Sequence, residues 1–252
     1  MSGSNTPRLH RRVTRLLLVD VGSGAIRPGH QLPSEAELAK RFGVSRGVVR
    51  ESIRGLEERG LVEVRQGRGV TVTESSSWDV LDPDVMAALV ASGGAAAALA
   101  ELLHCRQLIE IDAAGLAAER VTGEQLTRMS EAYARMVDAA ERAPFTADAE
   151  RTFHAADIEF HRCVVDASHN RVLMRLVEPI QHTLRQARPA LSRPEERIEG
   201  SLPEHAGILS AIAEGNAAKA RAAMTEHLST VERHLAEYAA NPQHREPSGR
   251  TG

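Results

Sequence analysis

The sequence has no apolar run approaching the ~18 residues that a membrane-spanning helix needs, and its first residues, Met1 to Pro7, are polar and rich in Ser and Gly. Such a start lacks the apolar centre of a secretory signal, so a cytoplasmic protein is the expectation. Cysteine is scarce. Cys105 and Cys163 lie far apart and form no Cys-x-x-Cys pair. Both are read as reduced, helix-buried small groups, with a disulfide or metal role as the lesser alternative. No internal repeat is present, no strand pattern follows Gly94, and no catalytic-loop motif is found.

An excess of positive charge is missing too. The net charge is -3 and the pI about 6.4. The balance is uneven along the chain, however. Residues 1–74 hold 13 Lys/Arg against 8 Asp/Glu, a net of +5, whereas residues 75–252 hold 18 against 26, a net of -8. A basic module can approach a polyanion; an acidic one has no reason to. At 252 residues, 42% apolar and 26% charged, the chain has room for two modest soluble domains.

What is present is mostly helix. Val13, Leu16, Leu17 and Val21 recur at a helical period over 10–22. Ser34 and Glu37 form an S-x-x-E capping box that starts a second helix, which Gly43 ends. A third helix runs from about Ser45 to Arg59 and turns Val48, Val49, Ile53 and Leu56 inward. Leu61 to Arg65 and Val70 to Thr73 flank the turn Gln66-Gly67-Arg68-Gly69, which predicts a hairpin. Beyond Gly94 helices are expected near 95–121, 123–142, 147–168, 170–190, 202–214 and 216–239, with Pro144, Pro189, Pro194 and Pro203 between them. The fold class is therefore mainly α: a winged helix-turn-helix of three helices and a hairpin wing, then an all-α antiparallel bundle. The expected division is a disordered start at 1–9, a first domain at 10–74, a linker at 75–94, a second domain at 95–240 and a disordered tail at 241–252.

Helix, Gly turn, helix and hairpin suit a major-groove reader. Ser45 caps the third helix, where its hydroxyl and nearby amides can face a phosphate. Arg46 and Arg50 are four apart and share one face, opposite the buried one. Arg68 sits between Gly67 and Gly69 at the hairpin tip, where close backbone approach is possible. One such Arg would be read as merely solvated; three at these places point to phosphate and guanine contacts.

Leu32-Pro33-Ser34-Glu35-Ala36-Glu37-Leu38-Ala39, Gly43-Val44-Ser45-Arg46, Val49-Arg50-Glu51-Ser52, Gly60-Leu61-Val62 and Gly67-Arg68-Gly69 resemble the GntR family of repressors in sequence and spacing. The resemblance covers about 10–74. It implies that Ser34, Ser45, Arg46, Arg50 and the wing tip, Gly67 and Arg68, contact operator DNA. Many members carry a basic residue where this chain has Ala36, so no role carries over at that position.

In the second half, Asp157 and His161 are i,i+4 on one helix, His205 lies on a second and His227 on a third. Three imidazoles and a carboxylate suit Zn²⁺ or another divalent transition metal. Asp/His pairs at this spacing also occur on solvated helices, so spacing alone leaves both readings open. Asp157-x-x-Phe160-His161, Glu204-His205-x-x-Ile208 and Glu226-His227-Leu228 resemble the metal-binding helices of the FCD effector domain of the FadR branch. The resemblance implies Zn²⁺ first, with Ni²⁺ or Mn²⁺ as alternatives. It also implies that Arg106 faces a carboxylate ligand with Glu110 beside it. Asn170 matches a frequent pocket residue, or else is a helix N-cap. Trp78-Asp79-Val80-Leu81-Asp82-Pro83-Asp84-Val85 resembles the linker of galactonate-type regulators, which sense sugar acids. The expected molecule is a homodimeric regulator, without enzyme activity, that holds a metal and answers a small carboxylate. The alternatives are a metal-dependent hydrolase or lyase fused to a DNA-binding module, and a DNA-associated protein with no ligand.

Overall fold

The computed structural model describes residues 6–65, 67, 69–142, 146–187 and 194–240. Arg68 and the expected tail 241–252 lie outside them. The chain divides into two compact units, meeting at Ala96/Ala97.

The first unit contains helices α1 (Thr6–Gly22), α2 (Glu35–Phe42) and α3 (Arg46–Glu58), a hairpin of β1 (Val62–Arg65) and β2 (Gly69–Val72), a 3₁₀ turn at Ser75–Ser77 and helix α4 (Pro83–Ala91). α1 begins at Thr6, inside the stretch expected to be disordered. Its buried face is Val13, Leu17, Leu18 and Val21; Leu16, expected there, is 41% exposed. α1 packs on α3, and Ser52 Oγ donates to the His10 carbonyl across that contact at 3.2 Å. The Ser34–Glu37 capping box forms, and Gly43 closes α2 in the left-handed conformation with φ 65°. Ser45 caps α3 by accepting from the Val48 amide. The hairpin is antiparallel, with Val62 opposite Val72 and Arg65 opposite Gly69. Residues 29–32 lie along β2: the Gly29 and Leu32 amides donate to Val72 and Val70, and the Val72 amide donates back to His30.

The segment 75–94, expected to be a linker with Trp78 to Pro83 as a docking stretch, is held against the rest of the first unit. The Trp78 indole donates to Thr73 Oγ1 at 3.2 Å. The Asp79 amide donates to the Arg59 carbonyl, and Arg59 Nε donates to Asp82 Oδ2 at 2.9 Å. Asp82 also caps α4, with Pro83 in its first turn. α4 then packs on α1, burying Val85, Met86, Ala88 and Leu89. Asp-Pro followed by an apolar run is a helix start.

The second unit is all helix: α5 (Ala96–Arg120), α6 (Gly123–Ala140), α7 (Ala147–Ala167), α8 (Arg171–Ala187), α9 (Pro194–Ala213) and α10 (Ala217–Ala240). Its core joins Ala114, Ala117 and Ala118 of α5 with Met129, Ala132, Met136 and Ala139 of α6 and Phe153, Ala156, Phe160 and Val164 of α7. Ile208, Ala211 and Ile212 of α9 and Ala220, Met224 and Leu228 of α10 complete it. Small Ala side chains on α5 and α6 let the helices approach closely, and Met and Phe fill the gaps between them. Two prolines expected between helices belong to α9, which starts at Pro194 rather than near 202 and has Pro203 inside it; Pro179 lies inside α8, within the helix expected there. Each internal proline removes one ladder hydrogen bond. Cys163 is buried as expected, but Cys105 is exposed. No helix among the described residues is long and apolar enough to cross a membrane.

Candidate functional site

Three apolar helix stripes in the second unit end in imidazoles. On α7, His161 follows the core residue Phe160, with Asp157 one turn earlier. On α9, His205 stands one turn before the core residue Ile208. On α10, His227 adjoins Leu228. All four polar residues are buried: Asp157 3%, His161 1%, His205 0% and His227 2% exposed. One donor atom from each lies within 4.8 Å of the others. His227 Nε2 stands 3.2 Å from His161 Nε2, and His205 Nε2 stands 3.1 Å from Asp157 Oδ1.

The outward nitrogens are held by a second layer. His205 Nδ1 donates to the Ser201 carbonyl at 2.7 Å, and His227 Nδ1 to Glu204 Oε2 at 2.9 Å. His161 Nδ1 lies 2.8 Å from Glu110 Oε2, close in distance but outside hydrogen-bond alignment. Protons on the Nδ1 atoms leave the Nε2 lone pairs facing inward, as metal-binding imidazoles require. Burial holds His227 down at about 3, and His205 and His161 push it the same way against Glu204. Burial likewise lowers His161, and Glu110 opposes it. The His161 and His227 rings are therefore held toward the neutral form.

This arrangement fits a divalent cation. His205 Nε2 is buried with no hydrogen-bond partner, and two other inward lone pairs face each other. A cation at the centre would satisfy all of them beside a carboxylate. Metal–ligand bonds of about 2.0–2.2 Å need donors roughly 3–4 Å apart, so only a slight contraction is required. Three nitrogens and one oxygen suit Zn²⁺, Ni²⁺ or Mn²⁺.

Beside the quartet lies a buried ion pair. Arg106 Nε and Nη2 donate to the two oxygens of Glu110 at 2.8 and 3.0 Å, and Gln181 Nε2 donates to Glu110 Oε1 at 2.9 Å. Burial, the largest influence on Glu110, raises its pKa, but Arg106 and His161 together outweigh it and hold the carboxylate ionised. Burial also lowers Arg106, and Glu110 overturns that. Glu110 thus bridges Arg106 and His161.

In the first unit, Arg46 and Arg50 both stand on the exposed face of α3, away from the buried Val49, Ile53 and Leu56. Ser34, Ser45 and Gly67 are exposed. Gly67 has φ 77°, and no described atom lies near where a Cβ would sit, so the turn suits glycine and permits close approach.

Residues 9–72 match the gntR family of bacterial regulatory proteins, and residues 101–230 match the FCD domain. The regulator LutR of Bacillus subtilis is 34% identical over 86% of this chain and 97% of its own. The chain belongs to the gntR family. It is a DNA-binding transcriptional regulator and not an enzyme. Two other relatives of this gntR-family protein are the Uxu operon transcriptional regulator of Escherichia coli, 32% identical over 84% of this chain and 80% of its own, and the galactonate operon transcriptional repressor of the same organism, 31% identical over 88% and 95%. A solved structure described as Lar, which controls the Listeria monocytogenes agr system, shares the fold with a TM-score of 0.64 at 19% identity, over 90% of this chain and 96% of that one.

Of the expected residues, the regulator's structure brings Asp157, His161, His205, His227, Arg106 and Glu110 into one buried cluster. Asn170 is exposed outside it; its Oδ1 accepts from the Val172 and Leu173 amides and caps α8. Glu204, Ser201 and Gln181 were given no role from the sequence. Gln181 left a signal: it falls on the buried side of α8 with Val177, Ile180 and Leu184, where a polar residue needs a buried partner.

Proposed function

We propose that this regulator is a repressor of a catabolic operon that holds a divalent metal at Asp157, His161, His205 and His227 and releases or grips DNA in answer to a small carboxylate. The observation that carries this is the buried quartet, with inward lone pairs and an arginine one residue away through Glu110. Zn²⁺ is the first candidate, Ni²⁺ or Mn²⁺ the others. Held by these four donors, an ion that expands beyond four-coordination could also take ligand oxygens. The Glu110 pair uses Nε and Nη2 of Arg106 and leaves Nη1 outside it, so a ligand carboxylate has a cationic edge to meet. A sugar acid is the preferred class, since one relative is named for the galactonate operon.

The reader is residues 10–74, the sensor residues 95–240. Ser34, Ser45, Arg46, Arg50, Gly67 and Arg68 meet a palindromic operator as a homodimer in the cytoplasm, each reader taking one half-site. The metal would act as an electrostatic anchor for the ligand. Asp157 and the three imidazoles orient it, and Glu110 fixes His161. The ligand shifts DNA affinity only through unequal affinity for two arrangements of the readers.

The test is a gel-shift titration on DNA upstream of the protein's own gene, with aldonates and hexuronates added singly. A sequence-specific complex altered by one acid is the expected result. No specific complex at any acid concentration would sink the reading.

A further inference from the structure

Arg50 does not stand alone on the reading face. Glu35, the first residue of α2, grips it side-on: Nε donates to Oε1 at 3.2 Å and Nη2 to Oε2 at 3.1 Å. The Glu35 side chain is 37% exposed and that of Arg50 70%. The carboxylate is the more sheltered partner, so it stands behind the guanidinium and the arginine reaches outward.

A free arginine beside DNA is drawn to phosphates, which carry no sequence information. A guanidinium paired with a carboxylate has little net charge, and the carboxylate itself repels phosphate. What remains are directional donors at the far end, Nη1 and the second hydrogen of Nη2. That end-on pair matches O6 and N7 of guanine. The side-on grip also fixes the plane of the guanidinium, so the long side chain meets the base edge already oriented.

We infer that Glu35 is a specificity-determining positioning residue of the DNA reader, directing Arg50 to a guanine edge in the major groove and away from the phosphates. The inference rests on α3 entering the major groove, as proposed above. Glu35 touches no base in this account; it acts through Arg50.

The test is selection from randomised duplex DNA, followed by binding titrations over a range of salt, with the full chain and its variants. The wild type should select a motif. R50A should flatten one guanine position in each half-site. E35Q should lower guanine preference at that same position about five- to tenfold and leave the other positions unchanged. Freed to find a phosphate, Arg50 in E35Q should strengthen binding to random DNA and steepen the log K against log salt slope by about 0.9 for each reader. R50K keeps the charge but cannot be held side-on, and should behave like E35Q. The double variant E35Q/R50A should match R50A at the affected position. Full guanine preference in E35Q overturns the inference. So does a uniform loss at all positions with a lower melting temperature, which would mark Glu35 as structural. If the wild type selects no motif, the DNA-reading proposal fails first; a wild-type motif with an unchanged E35Q profile removes this inference alone.

Discussion

His205 and His227 differ in what holds them, and that difference is testable. His205 leans on a backbone carbonyl, His227 on the Glu204 side chain. His205→Ala and His227→Ala should each abolish stoichiometric metal, measured by elemental analysis of the purified protein. Glu204→Gln should keep the ion but weaken it about 10- to 100-fold, read by competition with a chelating dye. Unchanged metal content in both alanine variants would remove the quartet as the site. Arg106 makes a sharper case. Arg106→Ala leaves Glu110 buried without its cation, which should cost about 3–5 kcal/mol in urea unfolding. Arg106→Ala with Glu110→Gln should recover part of that, because no unpaired charge remains; no recovery would mean the loss is packing. The quartet was legible because i,i+4 spacing and the motif around each histidine are local. The Glu110 bridge was not: Arg106 and Glu110 are also i,i+4, but their link to His161 depends on how α5 lies against α7, which no local pattern encodes.

At the scale of elements, the capped helices were the readable ones. Ser34, Gly43, Ser45 and Gly60 mark the bounds of α2 and α3 because caps are satisfied within a few residues. α4 was missed for the opposite reason. Its nine residues have little period of their own, and it is held by Asp82 at its start and by α1 at its side. Pro203 was misplaced because a proline reads as a boundary, yet a long helix packed on α10 tolerates one lost bond. Asp82 is the element's anchor. It accepts from the Asp84 and Val85 amides and pairs with Arg59. Asp82→Ala should lower the stability of the first unit by about 1–2 kcal/mol, followed by fluorescence of Trp78, the one tryptophan in the chain. Asp82→Asn keeps an acceptor for the amides and should cost clearly less. Equal losses would show that the Arg59 pair, not the cap, anchors α4.

For the molecule as a whole, the charge split along the chain matches the division of work: a basic reader with a +5 balance over 1–74, and a more acidic remainder whose buried ionisable groups, Arg106, Glu110, Asp157, His161, His205 and His227, gather at one place. An acidic surface repels DNA, so the second unit can influence binding only by changing what the first unit does. In the function proposed above, a metal would tie the effector to that change. If the carboxylate binds through the ion and Arg106, then ion, effector and operator are linked equilibria, and each alters the affinity of the others by a reciprocal factor. The effector should change operator affinity about 5- to 150-fold. Removing the metal with a chelator should return affinity to the effector-free value even at saturating acid, and restoring Zn²⁺ should bring the response back. Arg106→Ala with metal present should blunt the response in the same direction without abolishing operator recognition, because Arg46 and Arg50 are untouched. Fluorescence anisotropy on a labelled operator reads all of these at once. An effector response that survives complete metal removal would separate the ligand from the quartet and leave the ion with a purely structural role, in which case chelation should lower the melting temperature and change nothing else.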